Sequence, residues 1–570
     1  MQKIPYGISD FSRLSAEDYY FVDRTDYIAH LETLGEPYLI YLRPRRFGKS
    51  LFISLLQHYY GVEFRDQFVD LFGPYHIGKN PTPLANSYLV LRFEFSRIDT
   101  TTEESTFKDF LNNVRSGVSD FLGKYQAFFP GLNKEEILRA TAPNEMLLRL
   151  FDAHSLAQAP QIYLLIDEYD HFANELVSFN LGLFRNIVSK NGFVRKFYEA
   201  IKAATGEGIV DRLFVTGVTP LTMDSLTSGF NIGSNLSRNR LFQGMMGFRE
   251  HEVKDLLRYI GIGEDKLATE MQRMKDWYNG YHFSSAPSDG GLYNPDMVLY
   301  YAKEFLSNGE SPADMLDTNI ASDYGKIRRL FSVGGKEEER LGVLERLLGD
   351  GEISTPMTAE FSFEKNFDTS DFLSLLYYMG MLTIKGIDLA EVRLGIPNAV
   401  IQQLYFRYFA QLIREHIEKP VQSIEVNAAV REMARQNNPR PLIEIVSDAL
   451  QQLSNRDWIQ FDEKHVKMVL ISYLHSSQLY FIKSEFESGQ KYIDVLLLRR
   501  DPFPAPYQFA FELKYLKQKD AHQLPQTIST GREQLQGYLQ KEELSSLSDL
   551  KAWLMVFIGG EIAHLEEVST

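Results

Sequence analysis

The sequence predicts an α/β protein whose N-terminal part is a parallel sheet flanked by helices. Strand-like runs support this: Tyr38–Leu42, Tyr88–Phe95, Ile162–Ile166 and Leu213–Val218. Apolar side chains recur at helical spacing soon after the first run, at Leu51, Phe52, Leu55, Leu56 and Tyr59. A strand that leads through a short loop into a helix is the unit from which parallel sheets are built.

The segment Gly48-Lys49-Ser50, between the first strand and its helix, has the residue types of a nucleotide phosphate loop. In such a loop, backbone N–H groups and a helix N-terminus hold the phosphates, while a lysine reaches the outer phosphate oxygens and a hydroxyl binds Mg²⁺. Lys49 and Ser50 are predicted to take these two roles. The full pattern has a glycine five residues before Gly48, where this chain has Arg43.

A second apolar strand ends in Asp167 and Glu168, the acids expected in the other half of an ATPase site. An aspartate at this position holds Mg²⁺ through water, and a following glutamate polarises the attacking water. Glu168 therefore indicates hydrolysis of the nucleotide, and Thr216 is the candidate sensor of the γ-phosphate. The alternative is a buried strand with a solvated acidic end, an interpretation that the upstream loop weakens.

Several motifs of this chain resemble those of one family: Tyr6–Phe11, Tyr19–Thr25, Arg43–Leu51 and Leu165–Asp170. The chain resembles bacterial AAA-ATPase-like proteins that carry a C-terminal domain of the PD-(D/E)XK nuclease superfamily. Arginine at the first loop position is usual in that family, so Arg43 does not indicate an inactive site. Arg45 and Arg46 belong to the shared pattern. They either contact nucleotide or a neighbouring element, or they form a solvated basic turn.

A second set of chemical groups lies near the C-terminus, where Asp494, Glu512 and Lys514 match the spacing D-X17-E-X-K. Strand alternation puts Glu512 and Lys514 on one face. The other face, predicted to be buried, carries Phe509, Phe511, Leu513 and Tyr515. Two carboxylates hold Mg²⁺ or Mn²⁺, and a lysine orients water or stabilises developing charge, which is the chemistry of phosphodiester hydrolysis. The alternative is a solvated Glu–Lys pair on an exposed strand.

The element order around these residues also resembles PD-(D/E)XK nucleases. A helical pattern is followed by the strand Leu479–Ile482 and by the strands that carry Asp494 and Glu512; the helix Gly531–Leu539 and the strand Leu550–Ile558 complete the order. The resemblance implies that Glu463 is an auxiliary acid and that Gln534 is the glutamine of the later helix. Glu463 is equally well explained as a first-turn acid favoured by the helix dipole.

The breaks in pattern predict three domains. Residues 1–220 form a P-loop AAA-ATPase-like domain, 221–425 a helical lid and winged-helix-like region, and 426–570 an α/β domain of the restriction-endonuclease type. Phe372–Ile384 predicts a helix that leads into a short strand. Ser284–Gly291 is a loop by composition, and the aromatic run Trp277–Phe283 before it is interpreted as packing around a turn rather than base stacking.

Composition restricts the function classes. A net charge of −16 excludes binding to DNA by bulk attraction. The absence of cysteine excludes disulfide frameworks, thiol nucleophiles and Cys-ligated zinc. The N-terminus lacks a basic region followed by an apolar core, and no apolar stretch reaches membrane-spanning length. A cytoplasmic protein without a membrane partner is predicted.

These observations predict an ATP-binding and ATP-hydrolysing protein coupled to a metal-dependent nuclease domain that acts on nucleic acid, DNA rather than RNA. The resemblance implies a role in defence or mobile-element control. A homo-oligomer is expected, in which Arg238 or Arg240 completes a neighbouring site. The rival hypothesis is a nucleotide-gated signalling or scaffold protein whose nuclease-like domain binds partners without cutting. Convergence of Asp494, Glu512 and Lys514 on one Mg²⁺ or Mn²⁺ distinguishes the two.

Overall fold

The computed structural model describes residues 3–189, 191–221, 232–284, 290–324, 331, 337–358, 361, 367–418, 420–454, 462–488 and 491–569. The chain forms two compact units. The first comprises Met1–Lys303, Arg328–Arg340 and Glu352–Asn398, and the second Glu304–Ile327, Leu341–Gly351 and Ala399–Thr570. The division into three domains drawn from the sequence stays a prediction. Within the described ranges, no helix combines the length and the apolar character needed to cross a bilayer.

A five-stranded parallel sheet forms the centre of the first unit. Its strands are β1 (Tyr38–Leu42), β2 (Leu89–Glu94), β3 (Ile162–Asp167), β4 (Val210–Gly217) and β5 (Ser234–Asn235). The order across the sheet is β2-β3-β4-β1-β5, so β4 separates the strand before the phosphate loop from the strand that ends in Asp167. The predicted α/β class is confirmed. Since the strands are parallel, their carboxyl ends bring the loop, Asp167 and Thr216 to one edge of the sheet.

Helices precede and connect these strands. They are α1 (Phe11–Ala16), α2 (Asp26–Thr33), α3 (Lys49–Tyr60), α4 (Phe68–Phe72), α5 (His76–Lys79), α6 (Glu103–Lys124), α7 (Lys134–Leu138), α8 (Pro143–Ala157), α9 (His171–Phe179), α10 (Leu181–Val188) and α11 (Phe193–Gly206). Local sequence sets their starts. The hydroxyl of Thr102 accepts a hydrogen bond from the Ser105 N–H at the start of α6, and Pro143 begins α8, where the missing N–H of proline costs nothing.

The middle of the chain is mostly helical, as predicted. Its helices are α12 (Glu250–Tyr259), α13 (Glu264–Tyr278), α14 (Pro295–Asn308), α15 (Thr318–Tyr324), α16 (Glu337–Gly349) and α17 (Thr369–Tyr378). A small antiparallel sheet of order β6-β8-β7 contains β6 (Glu352–Thr355), β7 (Thr383–Asp388) and β8 (Glu391–Gly395). The predicted passage from helix to short strand is confirmed, because α17 leads into β7.

Two further predictions concern the aromatic run and the loop after it. Trp277, Tyr281 and Phe283 are buried, which confirms that the run packs around a turn. Of the loop predicted over Ser284–Gly291, residues 285–289 lie outside the described part of the chain.

The C-terminal part of the chain contains a mixed five-stranded sheet of order β13-β12-β11-β10-β9. Its strands are β9 (Tyr480–Ser488), β10 (Lys491–Arg499), β11 (Gln508–Leu516), β12 (Leu550–Ile558) and β13 (Glu561–Glu567). The helices are α18 (Ala399–His416), α19 (Ser423–Gln436), α20 (Arg440–Ser454), α21 (Glu463–Ser477), α22 (Leu524–Leu539) and α23 (Glu542–Ser545). Strands β11 and β12 are parallel and the other neighbours antiparallel.

Burial along β11 extends to both faces of the strand and does not alternate. Phe509, Phe511 and Leu513 are buried, but Tyr515 is only half-buried, so its predicted burial is wrong. The face that carries Glu512 is also covered, since α21 and α22 both contact β11. Glu512 is 2% exposed as a result, and its carboxylate lies in a protein interior rather than in water.

Candidate functional site

The phosphate loop connects β1 to α3, which begins at Lys49. Gly48 precedes the helix with a φ of 90°, a left-handed conformation that glycine adopts without strain. Backbone contacts tie the loop to the sheet. The Arg43 N–H donates to the Gly217 carbonyl at 3.1 Å, and the Leu42 N–H donates to Ser237 Oγ at 2.7 Å. The N-terminus of α3 is thereby held in the position that an anion-binding loop requires.

A cavity of about 300 Å³ opens beside this loop. Charged and polar groups on its wall include Arg46, Gly48, Lys49, Ser50 and Glu168. Its apolar wall includes Ile8, Leu14, Phe21, Met245, Met246 and Leu299. A cavity with a charged part and an apolar part fits the chemistry of a nucleotide, which joins an anionic phosphate chain to a flat base.

Lys49 is held inside the loop. Its side chain is almost fully buried, and its Nζ donates to the carbonyl oxygens of Arg43 and Pro44 at 3.0 Å each. Burial lowers the pKa of Lys49, while the carboxylates of Glu168 and Asp167 oppose that shift. Two backbone carbonyl oxygens therefore hold the ammonium at the cavity wall, and the charges of Glu168 and Asp167 favour its protonated form.

Asp167 and Thr216 contact each other at the carboxyl ends of β3 and β4. Asp167 Oδ1 accepts hydrogen bonds from the Thr216 hydroxyl at 2.6 Å and from the Glu168 N–H at 3.0 Å. Its other oxygen, Oδ2, is buried and has no hydrogen-bond partner among the described residues. A buried carboxylate oxygen of this kind fits a water bound to Mg²⁺. Thr216 is fully buried and is not one of the described residues that line the cavity, so its role as phosphate sensor stays a prediction.

Glu168 reaches the cavity from a strained backbone position. Its φ is 49°, in the left-handed region that residues with a side chain rarely adopt. Burial raises the pKa of Glu168, and the charge of Lys49 opposes the shift. A glutamate whose pKa lies nearer neutrality is a stronger base for the proton of an attacking water.

The arginines considered for this site are placed differently. Arg46 lines the cavity, and its Nη1 lies 3.4 Å from Oδ2 of Asp296, which also lines it. Arg45 and Arg238 are half-buried and Arg240 is exposed. None of these three belongs to the described residues that line the cavity, so Arg46 alone of the four arginines predicted for this site lines it.

The C-terminal set of acids and lysine is assembled by the pairing of β10 with β11. Val495 lies opposite Phe511, and the same antiparallel register places Asp494 opposite Glu512. One carboxylate oxygen of Asp494, Oδ2, accepts a hydrogen bond from the Leu513 N–H at 2.8 Å. The predicted hairpin geometry therefore holds Asp494 beside the strand that carries the other two residues.

Glu512 and Lys514 form an ion pair on β11. Lys514 Nζ lies 2.8 Å from Glu512 Oε1, while Glu512 Oε2 is buried and has no hydrogen-bond partner in the described part of the chain. Burial raises the pKa of Glu512 to about 7, and the nearby Asp494 carboxylate contributes to the shift. Burial alone would lower the pKa of Lys514, but Glu512 and its acidic neighbours raise it. Lys514 is therefore protonated and positively charged at neutral pH.

The two auxiliary residues approach the same centre from the helices. Glu463 begins α21, and burial raises its pKa; the charge of Lys514 opposes the shift and that of Asp494 adds to it. Gln534 lies on α22, three residues after Gly531, which packs near Lys514. Its Oε1 is buried without a partner among the described residues.

The donor set fits a divalent cation of the hard type. Asp494 and Glu512 offer carboxylate oxygens, and the Oε2 of Glu512 has no other partner in the described part of the chain. The described residues contain no group of three or more His, Cys, Asp or Glu side chains that could bind a metal. Asp494 and Glu512, which face each other on adjacent strands, would be the carboxylates that hold such a cation.

Comparison with known families agrees with both sites. Residues 5–227 match the AAA-ATPase-like family model, described as a predicted AAA-ATPase, and residues 461–567 match the model of the PD-(D/E)XK nuclease superfamily. The chain combines an AAA-ATPase-like domain with a PD-(D/E)XK nuclease-superfamily domain. The first match contains the phosphate loop and the Asp167–Glu168 pair, and the second contains Asp494, Glu512 and Lys514.

A curated relative is an uncharacterized protein in the vnfD 5′ region of Azotobacter chroococcum mcd 1. It is 27% identical to this chain over 312 residues, which cover 53% of this chain and 52% of that protein. The chain therefore spans about half the length of the curated relative it matches.

Sequence analysis missed two carboxylates that hold the AAA-ATPase-like site together. Asp170 is buried, and its Oδ2 accepts a hydrogen bond from the Thr219 N–H at 2.6 Å, which fixes the chain after β4. Glu252 forms an ion pair with Arg24, a residue of the cavity wall, with 2.6 Å between Oε2 and Nη2. Asp170 and Arg24 both lie in the family motifs, but a motif does not show which of its residues face the ligand and which hold the backbone in place.

Sequence analysis also missed Tyr538 in the nuclease-superfamily domain. It lies four residues after Gln534 on α22 and therefore shares a helix face with it. Burial raises the pKa of Tyr538, and the charges of Glu512, Lys514 and Asp494 act on it. The sequence feature that could have identified Tyr538 is its four-residue spacing from Gln534, which puts both side chains on the helix face toward Asp494 and Glu512.

The raised pKa of Glu512 predicts a pH-dependent loss of stability when no divalent cation is present. The side chain ionises near 4.5 in the unfolded chain and near 7 in the folded one. Below 4.5 both states are protonated, and as pH rises toward about 7 only the unfolded state loses the proton, so folding stability falls. We expect a fall on the order of 3 kcal/mol in wild type, measured by urea unfolding with EDTA, and a flatter profile in Glu512→Gln. Equal slopes in the two proteins would contradict this prediction.

Proposed function

We propose that this protein binds and hydrolyses ATP and that its C-terminal domain is a divalent-metal-dependent nuclease acting on nucleic acid. The observation that carries the nuclease proposal is the meeting of Asp494, Glu512 and Lys514 on adjacent strands, with Glu512 Oε2 buried and without a partner among the described residues. Two carboxylates and one ammonium in a covered site are typical of phosphodiester hydrolysis. A solvated Glu–Lys pair would instead be exposed to water.

Each nuclease residue has a distinct part in this proposal. Asp494 and Glu512 hold Mg²⁺ or Mn²⁺, which supplies Lewis-acid activation of water and screens the phosphate charge. Lys514 stays protonated and stabilises charge that develops on the phosphate. Glu463 and Gln534 orient water or substrate from the covering helices. The proposed substrate is DNA rather than RNA, and the proposed role is defence or mobile-element control. The family resemblance favours this substrate and this role.

The ATPase residues divide in the same way. Lys49 and the N-terminus of α3 hold the phosphates, with Arg46 as a further cation at the cavity wall. Ser50 and Asp167 hold the Mg²⁺ that accompanies ATP, and the partnerless Asp167 oxygen fits that task. Glu168 accepts a proton from the attacking water. We place the protein in the cytoplasm, as a homo-oligomer.

A cleavage assay on the full chain tests the proposal. Single-stranded DNA, double-stranded DNA and RNA are each incubated with Mg²⁺ or Mn²⁺, with and without ATP, and with EDTA as the control. We expect cleavage of DNA that requires the metal. If wild type cuts none of the substrates while binding ATP, a signalling or scaffold protein with a non-cutting nuclease domain becomes the better hypothesis.

The nucleotide state is expected to control cleavage. A chain of charge −16 has little intrinsic attraction for nucleic acid and needs a conformational or assembly step to hold it. ATP can shift such an equilibrium only through its different affinity for the two states. We would compare cleavage rate and sedimentation of wild type and Glu168→Gln with ATP, with ADP and without nucleotide. Identical rates and masses in all conditions would show two independent modules on one chain.

A further inference from the structure

Arg43 occupies the loop position where the phosphate-loop pattern has its first glycine. Its side chain is 1% exposed and does not belong to the described residues that line the cavity. The guanidinium lies between two aromatic rings, 4.2 Å from the centroid of Tyr41 and 4.1 Å from that of Phe283. Arg43 therefore points into the protein, away from the ligand that the loop surrounds.

The guanidinium joins the loop to the segment that follows β5. Nη1 donates to the carbonyls of Leu42 and Ser237 at 2.8 Å each, and Nη2 lies within hydrogen-bond distance of the carbonyls of Phe242 and Gln243, at 3.4 and 3.3 Å. Only a planar fork with several fixed donors can satisfy carbonyls in this arrangement while it stacks on rings at both faces.

The backbone of the same residue contacts Lys49 and the end of β4. The Arg43 carbonyl accepts a hydrogen bond from Lys49 Nζ at 3.0 Å, and the Arg43 N–H donates to the carbonyl of Gly217, the residue after Thr216. The side chain thus fixes a peptide unit that in turn holds the ammonium of Lys49. A glycine at this position could supply the peptide unit but not the anchor.

We infer that Arg43 is a positioning residue for the phosphate loop: its buried guanidinium fixes the loop backbone that holds the Lys49 ammonium in place for the phosphates of ATP. The inference rests on the proposed binding of ATP. This role accounts for the missing first glycine: the hydrogen bonds of the Arg43 side chain fix the conformation of the turn, which in other phosphate loops depends on the flexible backbone of glycine.

The direct test is Arg43→Gly, a change that completes the glycine pattern of the loop. If the pattern alone shaped the site, this variant would bind ATP at least as well as wild type. We expect the opposite, a fall in Mg-ATP affinity of about ten-fold or more, because the hydrogen bonds that anchor the loop to the segment after β5 are lost. Millimolar guanidinium chloride should restore part of the affinity by filling the cavity that the side chain leaves, and the same concentration of ammonium chloride should not.

Two further variants separate positioning from general stability. Arg115→Ala removes another arginine that donates to backbone carbonyls, those of Leu138 and Ala140, on helix α6. It should lower the thermal midpoint with unchanged Mg-ATP affinity. Arg43→Lys keeps the charge without the fork, so it should fold and still lose affinity.

The outcomes distinguish the inference from the function on which it rests. Affinity equal to wild type in both Arg43 variants would overturn the inference and leave the ATP site intact. An equal loss in Arg115→Ala, or no difference between guanidinium and ammonium, would also overturn it. If wild type itself does not bind Mg-ATP, the proposed function falls, and the inference falls with it.

Discussion

Lys49→Ala is expected to abolish tight binding of Mg-ATP, whereas Glu168→Gln keeps binding and blocks turnover. The lysine ammonium lies at the cavity wall, fixed by two backbone carbonyls, and in the proposed site it would meet the phosphates in the ground state as well as in the transition state. A charge-assisted hydrogen bond contributes roughly 1.5–3 kcal/mol, so the loss should reach about ten- to a hundred-fold in Kd.

In the proposed mechanism Glu168 acts on water rather than on phosphate, so its replacement by the neutral isostere should spare affinity. General base catalysis contributes about 10²–10⁴-fold, and we expect a fall of that size in the rate of ATP hydrolysis. Fluorescent-nucleotide titration and phosphate release measure the two quantities separately. Lys134→Ala, a change at an exposed lysine at the start of α7, is the control and should match wild type in both.

Two results would contradict these assignments. Nucleotide affinity unchanged in Lys49→Ala would remove the phosphate-binding role from the loop. Wild-type ATPase activity in Glu168→Gln would remove Glu168 from catalysis and leave another group to activate the water. Lys49→Ala also removes a buried charge, so a loss of binding together with an unchanged or higher thermal midpoint would locate the effect in the site.

The fold could be predicted from the sequence because its signals are local. Strand β3 is buried at every residue and appears in the sequence as an unbroken apolar run, and α3 shows helical spacing directly after the loop. Strand order is a different matter. That β4 lies between β1 and β3 depends on long-range pairing, which no local pattern in the sequence reveals.

The sites were only partly predictable, because a motif identifies residues and not the direction of their side chains. Arg43 and Arg46 lie in the same loop, yet the first points inward onto Phe283 and the second lines the cavity. Phe283 comes from a distant part of the chain, so no local pattern could assign this contact. The hydroxyl of Thr216 donates to Asp167, a long-range contact that the apolar pattern of β4 does not reveal, and its role as phosphate sensor stays a prediction.

The second large effect is expected at the nuclease-superfamily domain. Asp494→Ala and Glu512→Ala should each lose metal-dependent cleavage by on the order of 10²–10³-fold or more, together with most of the metal affinity. Lys514→Ala should lose cleavage to a similar degree while it keeps much of the metal binding, because lysine supplies no ligand. Cleavage rates and Mn²⁺ titration by calorimetry, on the same preparations, separate the two losses. The exposed Lys517→Ala on the same segment is the control.

The ion pair between Lys514 and Glu512 adds a pH signature to the lysine variant. Removing the ammonium leaves the buried Glu512 without the charge that opposes protonation, so its pKa should rise further above about 7. Protons then compete more strongly with the metal. Mn²⁺ affinity of Lys514→Ala should therefore fall below that of wild type near neutral pH and approach it in more alkaline buffer. An equal Mn²⁺ affinity in the two proteins at every pH would show that Lys514 does not control the charge of Glu512. Wild-type cleavage in Asp494→Ala, Glu512→Ala and Lys514→Ala alike would place the active site of this domain elsewhere.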